Sequence, residues 1–383
     1  MRILFAADLR PDPNSGAGGS QYHTIQAIQA LGHHVDALWS DDLPHRIRHW
    51  NLHYLLELPR ALRNAVRERS LGVAYDVIDV YQPHAYLAAV DHVQSKRPGI
   101  FVNRNADIET RFDRVVRAWQ RRLGVRYRTP MRAIPGYLVD LGFLRAQRRV
   151  ARYAHGHVVM SSENRDWLVQ RYGVPVGRIA AIAQAPPAEY LSVPLPPFDS
   201  RRLKHLLAVG QVTFYKGIQA LTAAVNRLLA GDPAATFTWV CPHGQHEQAR
   251  AMLDPQVHAR CRQLSGLSNQ EMIRVADACG VFLFPSITEG FGKAFLEAMA
   301  RGLCVVTTQT AGMRDVIRHD ENGFFVGVND PDAIVRTVRQ LWQEPERAET
   351  VSAAAVAAAR QYSWERVGRE TLEFYEHLQR ECP

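Results

Sequence analysis

The chain reads as an α/β protein built from two doubly wound parallel-sheet domains, and three features of the sequence lead there. Its first forty residues run strand, loop, helix, strand; the same alternation resumes after residue 200; and the one Pro-dense stretch lies between the two runs. Its 383 residues also exceed the roughly 250–300 at which a single hydrophobic core stops growing.

The opening strand is the apolar run Arg2 to Ala7, ended by Asp8. A Pro/Gly/Ser loop from Pro11 to Gly19 follows, then a helical pattern from Ser20 through Ile25, Ile28 and Leu31 to Gly32, and a second strand from His34 to Trp39. A helical crossover this short between two strands calls for parallel pairing. Further strands are expected at Val77 to Tyr81, Ile100 to Asn103 and His157 to Ser161, with helices between them. Periodicity then weakens through Ala185-Pro186-Pro187 and Pro194-Leu195-Pro196-Pro197, so the linker is placed at about 184–200, with a first domain over 1–190 and a second over 191–363. In the second, strands are expected at Leu206 to Val209, Phe237 to Cys241, Val281 to Pro285 and Cys304 to Thr307, and helices at Ile218 to Leu229, Asn269 to Ala276 and Lys293 to Arg301. A last helix, capped by Ser363, carries Trp364, Val367, Thr371, Tyr375 and Leu378 on one face.

Composition narrows the class: 46% hydrophobic and 22% charged residues belong to a globular chain and not to a disordered, collagenous or disulfide-rich one. Five cysteines, Cys241, Cys261, Cys279, Cys304 and Cys382, are odd in number and widely spaced, with no C-x-x-C pair, so free thiols in a reducing compartment are expected and no zinc site. No run of about eighteen uncharged apolar residues occurs, and Met1-Arg2 precedes only five apolar residues, so a cytoplasmic chain is expected.

Net charge is +8, but it is concentrated. Arg111 to Arg152 holds twelve Arg against Asp113 and Asp140, and Arg46 to Arg69 holds six against Glu57 and Glu68, leaving the rest of the chain net acidic. Both stretches are interleaved with Trp, Tyr and Leu, including Trp50, Leu56, Trp119, Tyr127 and Leu138. That mixture suits an anionic membrane surface, and the alternative is solvated helix faces whose Arg stems cover apolar surface. No nucleic-acid recognition motif accompanies the charge, so nucleic acid is not expected as a partner.

Ligands of open α/β sheets bind beyond the C-terminal strand ends, which singles out the loop between Phe284 and Lys293. Ser286-Ile287-Thr288-Glu289-Gly290-Phe291-Gly292-Lys293 leaves a strand, passes two glycines that permit close backbone approach, and enters a helix containing Glu297. A helix start after a Gly loop suits an anion, and carboxylates beside it suit the hydroxyls of a polyol. Together these point to a sugar nucleotide.

Two glutamates in the frame Glu289-Gly290-Phe291-Gly292 followed by Leu296-Glu297-Ala298-Met299-Ala300 resemble the donor signature of family 4 retaining glycosyltransferases, glycosyl transferases group 1 with the GT-B fold. Gly18-Gly19, Leu31 to Val35, Leu207 to Gly217, Gly312 to Ile317, Asn322-Gly323 and Ser363 to Val367 follow that family in order, so the likeness spans nearly the whole chain. It implies two Rossmann-like domains facing a central cleft, with the helix 364–383 packed back on the first. It implies a hexosyltransferase that moves a sugar from a nucleotide-diphosphate sugar to an acceptor with retention and without a metal, as in bacterial-type glycan or glycoconjugate synthesis, and no Asp-x-Asp metal site is needed or found. Carried over, Glu289 and Lys216 are the catalytic candidates: Glu289 holds hydroxyls of the transferred sugar and Lys216 neutralises the leaving diphosphate. The backbone amides of Phe291, Gly292 and Lys293 meet the diphosphate, Gly290 belongs to the same donor-binding loop, Glu297 accepts the ribose hydroxyls, Gly19 approaches from the first domain, and Gln211, also on the donor side, stands where the family usually has an arginine. His84, Arg104 and Asn105 are the acceptor-side candidates, with Ala106 where the family often has a histidine. The acceptor is expected to be a sugar, a polymer or a lipid-linked group, with the chain peripheral at the inner face of a membrane. A catalytically silent homologue serving as a membrane scaffold or partner subunit, and a sugar-nucleotide epimerase, are the alternatives.

Overall fold

The computed structural model describes residues 1–125 and 130–381, with the backbone alone for 130–135. Cys382 and Tyr127 lie outside the described residues. The chain divides into two compact units, Met1–Gln184 together with the segment from Trp364 on, and Ala185–Ser363.

Among the described residues, the first unit holds one sheet of six strands: β1 (Arg2–Ala6), β2 (His34–Leu38), β3 (Val77–Tyr81), β4 (Ile100–Asn105), β5 (Gly156–Val159) and β6 (Ile179–Ala181). All pair in parallel, in the order β2-β1-β3-β4-β5-β6. β3 and β4 are buried along their whole length, as strands covered by helices on both faces must be. The helix Trp364–Glu381 lies along the helix Ala17–Ala30, where Gly368 lets the two axes close: a Cβ there would sit 3.0 Å from Ala27 Cβ. Its inner face buries Val367, Leu372, Phe374, Tyr375 and Leu378. At roughly 1.5–3 kcal/mol per buried large side chain, that face anchors the C-terminal segment firmly to the first unit.

The second unit repeats the plan with β7 (His205–Val209), β8 (Thr236–Val240), β9 (Cys261–Leu264), β10 (Val281–Phe284), β11 (Cys304–Thr308) and β12 (Phe324–Val326). The order is β12-β11-β10-β7-β8-β9, again all parallel.

The structure differs from the sequence reading in two places. β6, β9 and β12 were not expected. Each has three or four residues at or beside a sheet edge, and Cys261-Arg262-Gln263-Leu264 is only half-buried, so no apolar run announces it. The division also falls after Gln184 and not after 190. Arg301, fully buried, explains this: its guanidinium bonds both Asp277 oxygens at 2.8 Å and donates to the carbonyls of Tyr190, Val193 and Pro194 at 3.2, 2.7 and 3.0 Å. Residues 188–194 are thereby fixed to the second unit.

The four described cysteines, Cys241, Cys261, Cys279 and Cys304, are free and buried. Burial pushes the thiols of Cys279 and Cys304 up to about 12 and that of Cys261 to about 11, which keeps them in the unreactive protonated form.

Candidate functional site

In the second unit the sheet order reverses between β7 and β10, so the loops leaving these neighbours diverge and open a crevice at their C-terminal ends. Lys216 arrives on the loop after β7 and Glu289 on the loop after β10, and their side chains meet there: Lys216 Nζ donates to Glu289 Oε1 at 2.5 Å. Glycine makes the approach possible. Gly217 has φ +67°, and a Cβ at that position would lie 1.9 Å from the Pro285 carbonyl oxygen. Ser286 Oγ donates to the same Glu289 oxygen at 2.8 Å, and the ammonium lies 5.1 Å from the Phe284 ring centroid. Glu289 keeps 10% of its side-chain surface and Lys216 19%, so the pair is sheltered from bulk water.

Past Glu289 and Gly290 the chain enters the helix Lys293–Ala300 through Gly292 in the left-handed region, φ +89°. A helix start carries amide donors without intrahelical acceptors and the positive end of the macrodipole, and Gly292 brings no capping side chain over them. Phe291 is buried against Gly312, where a Cβ would stand 2.2 Å from its ring, so the turn is held from behind. One turn into the helix Glu297 lies 3.8 Å from Lys293 Nζ. Burial raises the Glu297 carboxyl above its ordinary range, against the opposing charge of Lys293. Gln211 is exposed and accepts from the Tyr215 hydroxyl at 3.0 Å. The structure thus brings Lys216, Glu289, Gly290, Phe291, Gly292, Lys293 and Glu297 onto adjoining segments of one strand-end crevice.

The first unit has its own reversal, between β1 and β3. A cavity of about 210 Å³ opens there, lined by Asp8 after β1, Tyr81 and His84 after β3, Glu109 after β4, and Tyr54 and Phe143. Gln82, with φ +66°, turns the chain sharply out of β3 and delivers His84 into the cavity wall. The imidazole stacks on Tyr54 at 4.6 Å, meets the edge of Phe143 at 5.7 Å, and has Nε2 3.8 Å from Glu109 Oε1. Burial pushes His84 down to about 3, keeping it neutral. Burial, then the charges of Asp113 and Asp107, pushes the Glu109 carboxyl up to about 8. Its Oε2 is buried without a hydrogen-bond partner, although the side chain keeps about a third of its surface. A neutral imidazole beside a protonatable carboxyl is an acid–base pair of the kind active sites tune. Glu109 was not among the candidates from sequence; its one signal is its position directly after a strand end.

Three expected residues are placed differently. Arg104 does not reach the cavity: it lies in the interior, where its Nη2 is 2.9 Å from Asp79 Oδ2 and donates to the Tyr375 hydroxyl at 3.2 Å. As the fifth residue of a six-residue buried strand its side chain points into the core, so it does not line the cavity. Asn105, the last residue of β4, is buried and donates from Nδ2 to Asn103 Oδ1 at 2.9 Å. Gly19 starts the helix Ala17–Ala30, but its amide already donates to Ser15 Oγ at 2.9 Å, and a Cβ there would meet the Pro13 carbonyl oxygen at 2.7 Å. Close packing of its own loop is therefore enough to require glycine.

An Asp-x-Asp spacing does occur, at Asp330 and Asp332, but Asp330 caps the helix Pro331–Gln343 by accepting from Ala333 N and Asp332 pairs with Arg227. Among the described residues, Asp8, His45 and His53 form the one group of His and carboxylate side chains close enough to share an ion.

Two six-stranded parallel sheets, each with its strand-end crevice, define an α/β protein of the GT-B class. Residues 203–344, the body of the second unit, match the model of the family Glycosyl transferases group 1. An uncharacterized glycosyltransferase of Methanocaldococcus jannaschii is 30% identical over 175 residues, which is 45% of this chain and 44% of that protein. The chain spans less than half the length of the curated relatives it matches first. Among solved structures, sucrose-phosphate synthase from Thermosynechococcus elongatus superposes over the whole of both chains with a TM-score of 0.74 at 17% identity. Anabaena HepE in complex with UDP and glucose does so over 97% of this chain and 98% of its own, with a TM-score of 0.67 at 17% identity. At these identities the likeness is one of fold.

Proposed function

We propose that the protein is a retaining glycosyltransferase that takes its sugar from a nucleotide-diphosphate donor bound in the second unit. The Lys216–Glu289 pair at the strand-order reversal carries the reading: a cation and a hydroxyl-accepting carboxylate sit together beside an uncapped helix start, within the segment that matches the family. Lys216 faces the developing negative charge of the leaving diphosphate, amides of the Gly292 turn take its phosphate oxygens, Glu289 holds sugar hydroxyls and Glu297 the ribose hydroxyls. The donor-phosphate charge is met by these groups, so transfer proceeds without a bound metal. The first-unit cavity receives the acceptor, with His84 and Glu109 at its hydroxyl. HepE, solved with UDP and glucose, supports a nucleotide sugar of this type.

The acceptor is lipid-linked or polymeric and met at an anionic membrane surface. Trp50, Leu52, Leu56, Tyr137, Leu138 and Leu141 are all exposed, and they lie within the two basic stretches. Leu55 packs against Gly142, where a Cβ would lie 2.6 Å from its Cδ2, which puts the two stretches side by side. Among the described residues no helix is long and apolar enough to cross a membrane.

A thermal-shift screen of nucleotide-diphosphate sugars tests the donor site, repeated in EDTA and on Glu297→Ala. A ligand at a hundred times its dissociation constant stabilises by roughly 2.7 kcal/mol, and one hit kept in EDTA and lost in the variant is expected. Product anomeric configuration by NMR then tests retention. No hit at millimolar concentration would favour a silent homologue, and donor conversion without acceptor an epimerase.

A further inference from the structure

We propose that Asp8, His45 and His53 form a binding site for one divalent transition-metal ion of the zinc class, in the first unit and separate from the donor site. The three ligand atoms lie within 4.8 Å of one another. They meet because Asp8 leaves β1 at the strand-order reversal, while the chain after β2 turns back to bring His45 and His53 over it.

The protonation pattern around His53 points to a cation. Glu57 is held as an acceptor: its Oε1 takes the Arg46 amide at 3.0 Å, and its Oε2 takes the Ile47 amide at 2.9 Å and His53 Nδ1 at 2.9 Å. Nδ1 is therefore the donor to Glu57, which leaves Nε2 as the nitrogen turned toward Asp8. That atom is buried without a hydrogen-bond partner, in a side chain only 3% exposed, and it faces Asp8 Oδ2 at 3.5 Å. A buried nitrogen facing a carboxylate calls for positive charge between them, supplied by a proton or by a metal ion.

The spacing fits an ion. Two ligands bound at 2.0–2.2 Å on a tetrahedral centre stand about 3.4 Å apart, close to the 3.5 Å found, which is too long for a good hydrogen bond. His45 Nε2 lies 3.0 Å from the other Asp8 oxygen, and its ring stacks on His53 with centroids 4.3 Å apart. The surroundings have the form of a metal site's outer shell: Glu57 orients His53 through its second nitrogen, and Tyr54 donates to Asp8. His53 and Glu57 both lie in a π-helical turn, His53–Glu57, that widens the helix where they are needed. Two imidazoles and one carboxylate suit zinc, cobalt, nickel or copper and not magnesium or calcium. Three protein ligands leave a fourth position, and Asp8 also lines the cavity that holds His84 and Glu109.

The test uses the full chain stripped with chelator and titrated with Zn²⁺ by equilibrium dialysis and with Co²⁺ by visible absorption. One ion per chain is expected, with the intense ligand-field band of a four-coordinate cobalt centre. His53→Ala and His45→Ala should each weaken binding at least about 100-fold. Glu57→Gln, which keeps the shape but loses the carboxylate, should weaken it by about 10–100-fold and shift the cobalt band. His45 is exposed, so His45→Ala is the variant least able to disturb folding, and matched apo melting curves check that. His243→Ala, which breaks the His243–His246 ring pair in the second unit, should change nothing. The proposal is overturned if neither ion binds below millimolar concentration, or if binding survives His45→Ala and His53→Ala.

Discussion

Arg104 sits where a substrate-binding arginine and a structural one make opposite forecasts, and Arg104→Met separates them. In the folded chain Asp79 Oδ2 accepts from Arg104 Nε at 3.0 Å and from the Tyr375 hydroxyl at 2.5 Å, while Asp79 Oδ1 has no partner. Arg104 and Asp79 are 2% and 0% exposed, so water does not screen them. Met fills most of the arginine's volume but leaves a buried carboxylate with one donor. Breaking a buried pair in this way costs about 3–5 kcal/mol. For a unit of roughly 200 residues that lowers Tm by some 6–20 °C, at about 2–4 °C per kcal/mol. The assay is urea and thermal unfolding followed by circular dichroism, with the first-unit transition analysed by itself because two units need not unfold together. Replacing both partners, Arg104→Met with Asp79→Leu, should recover much of the loss, since an apolar pair leaves no uncompensated charge. Stability within about 1 kcal/mol of the parent in Arg104→Met, with a raised acceptor KM, would refute the structural role and return Arg104 to the acceptor site.

Lys216→Ala should lower kcat by about a hundred- to a thousandfold, the loss of a preorganised donor worth roughly 3–4 kcal/mol at a developing charge, with acceptor KM little changed; a tenfold effect or less in steady-state assays would remove Lys216 from the chemistry. Glu109 is raised to about 8 in the fold, so the folded state binds a proton that the unfolded state releases from its ordinary carboxyl range upward, and its contribution to stability falls as pH rises from about 5 to 8. Because His84, lowered to about 3, drives stability the opposite way below its unfolded value, the informative quantity is the Tm difference between parent and Glu109→Gln, which should shift in favour of the variant as pH rises across that window. In a Cys382→Ser background the four buried thiols should react with Ellman's reagent only on unfolding, and a fast native thiol would contradict their burial. Trp50→Ala with Leu138→Ala should reduce flotation with anionic vesicles, and equal flotation on neutral and anionic vesicles would remove the membrane reading.

The sequence by itself determined the plan of the fold and singled out the strand-end loops that carry the proposed donor site. Strands such as Val281–Phe284 and Cys304–Thr308 are buried on both faces, and a strand of that kind must be written as a continuous run of apolar and β-branched residues. Lys216 stood out in the loop after one such strand, and Glu289 and the Gly292 turn in the short ordered frame after another. Only the tertiary structure decided the rest. It brought Lys216 and Glu289, 73 residues apart, into contact through a glycine that lets two backbones nearly touch. It also took Arg104 into the core, because its partners Asp79 and Tyr375 stand 25 and 271 residues away and no local pattern links them. The same holds for Asp8, His45 and His53, ordinary polar residues along the chain that meet only where the strand order reverses, and for Glu109, whose carboxyl is raised only where the surrounding loops exclude water.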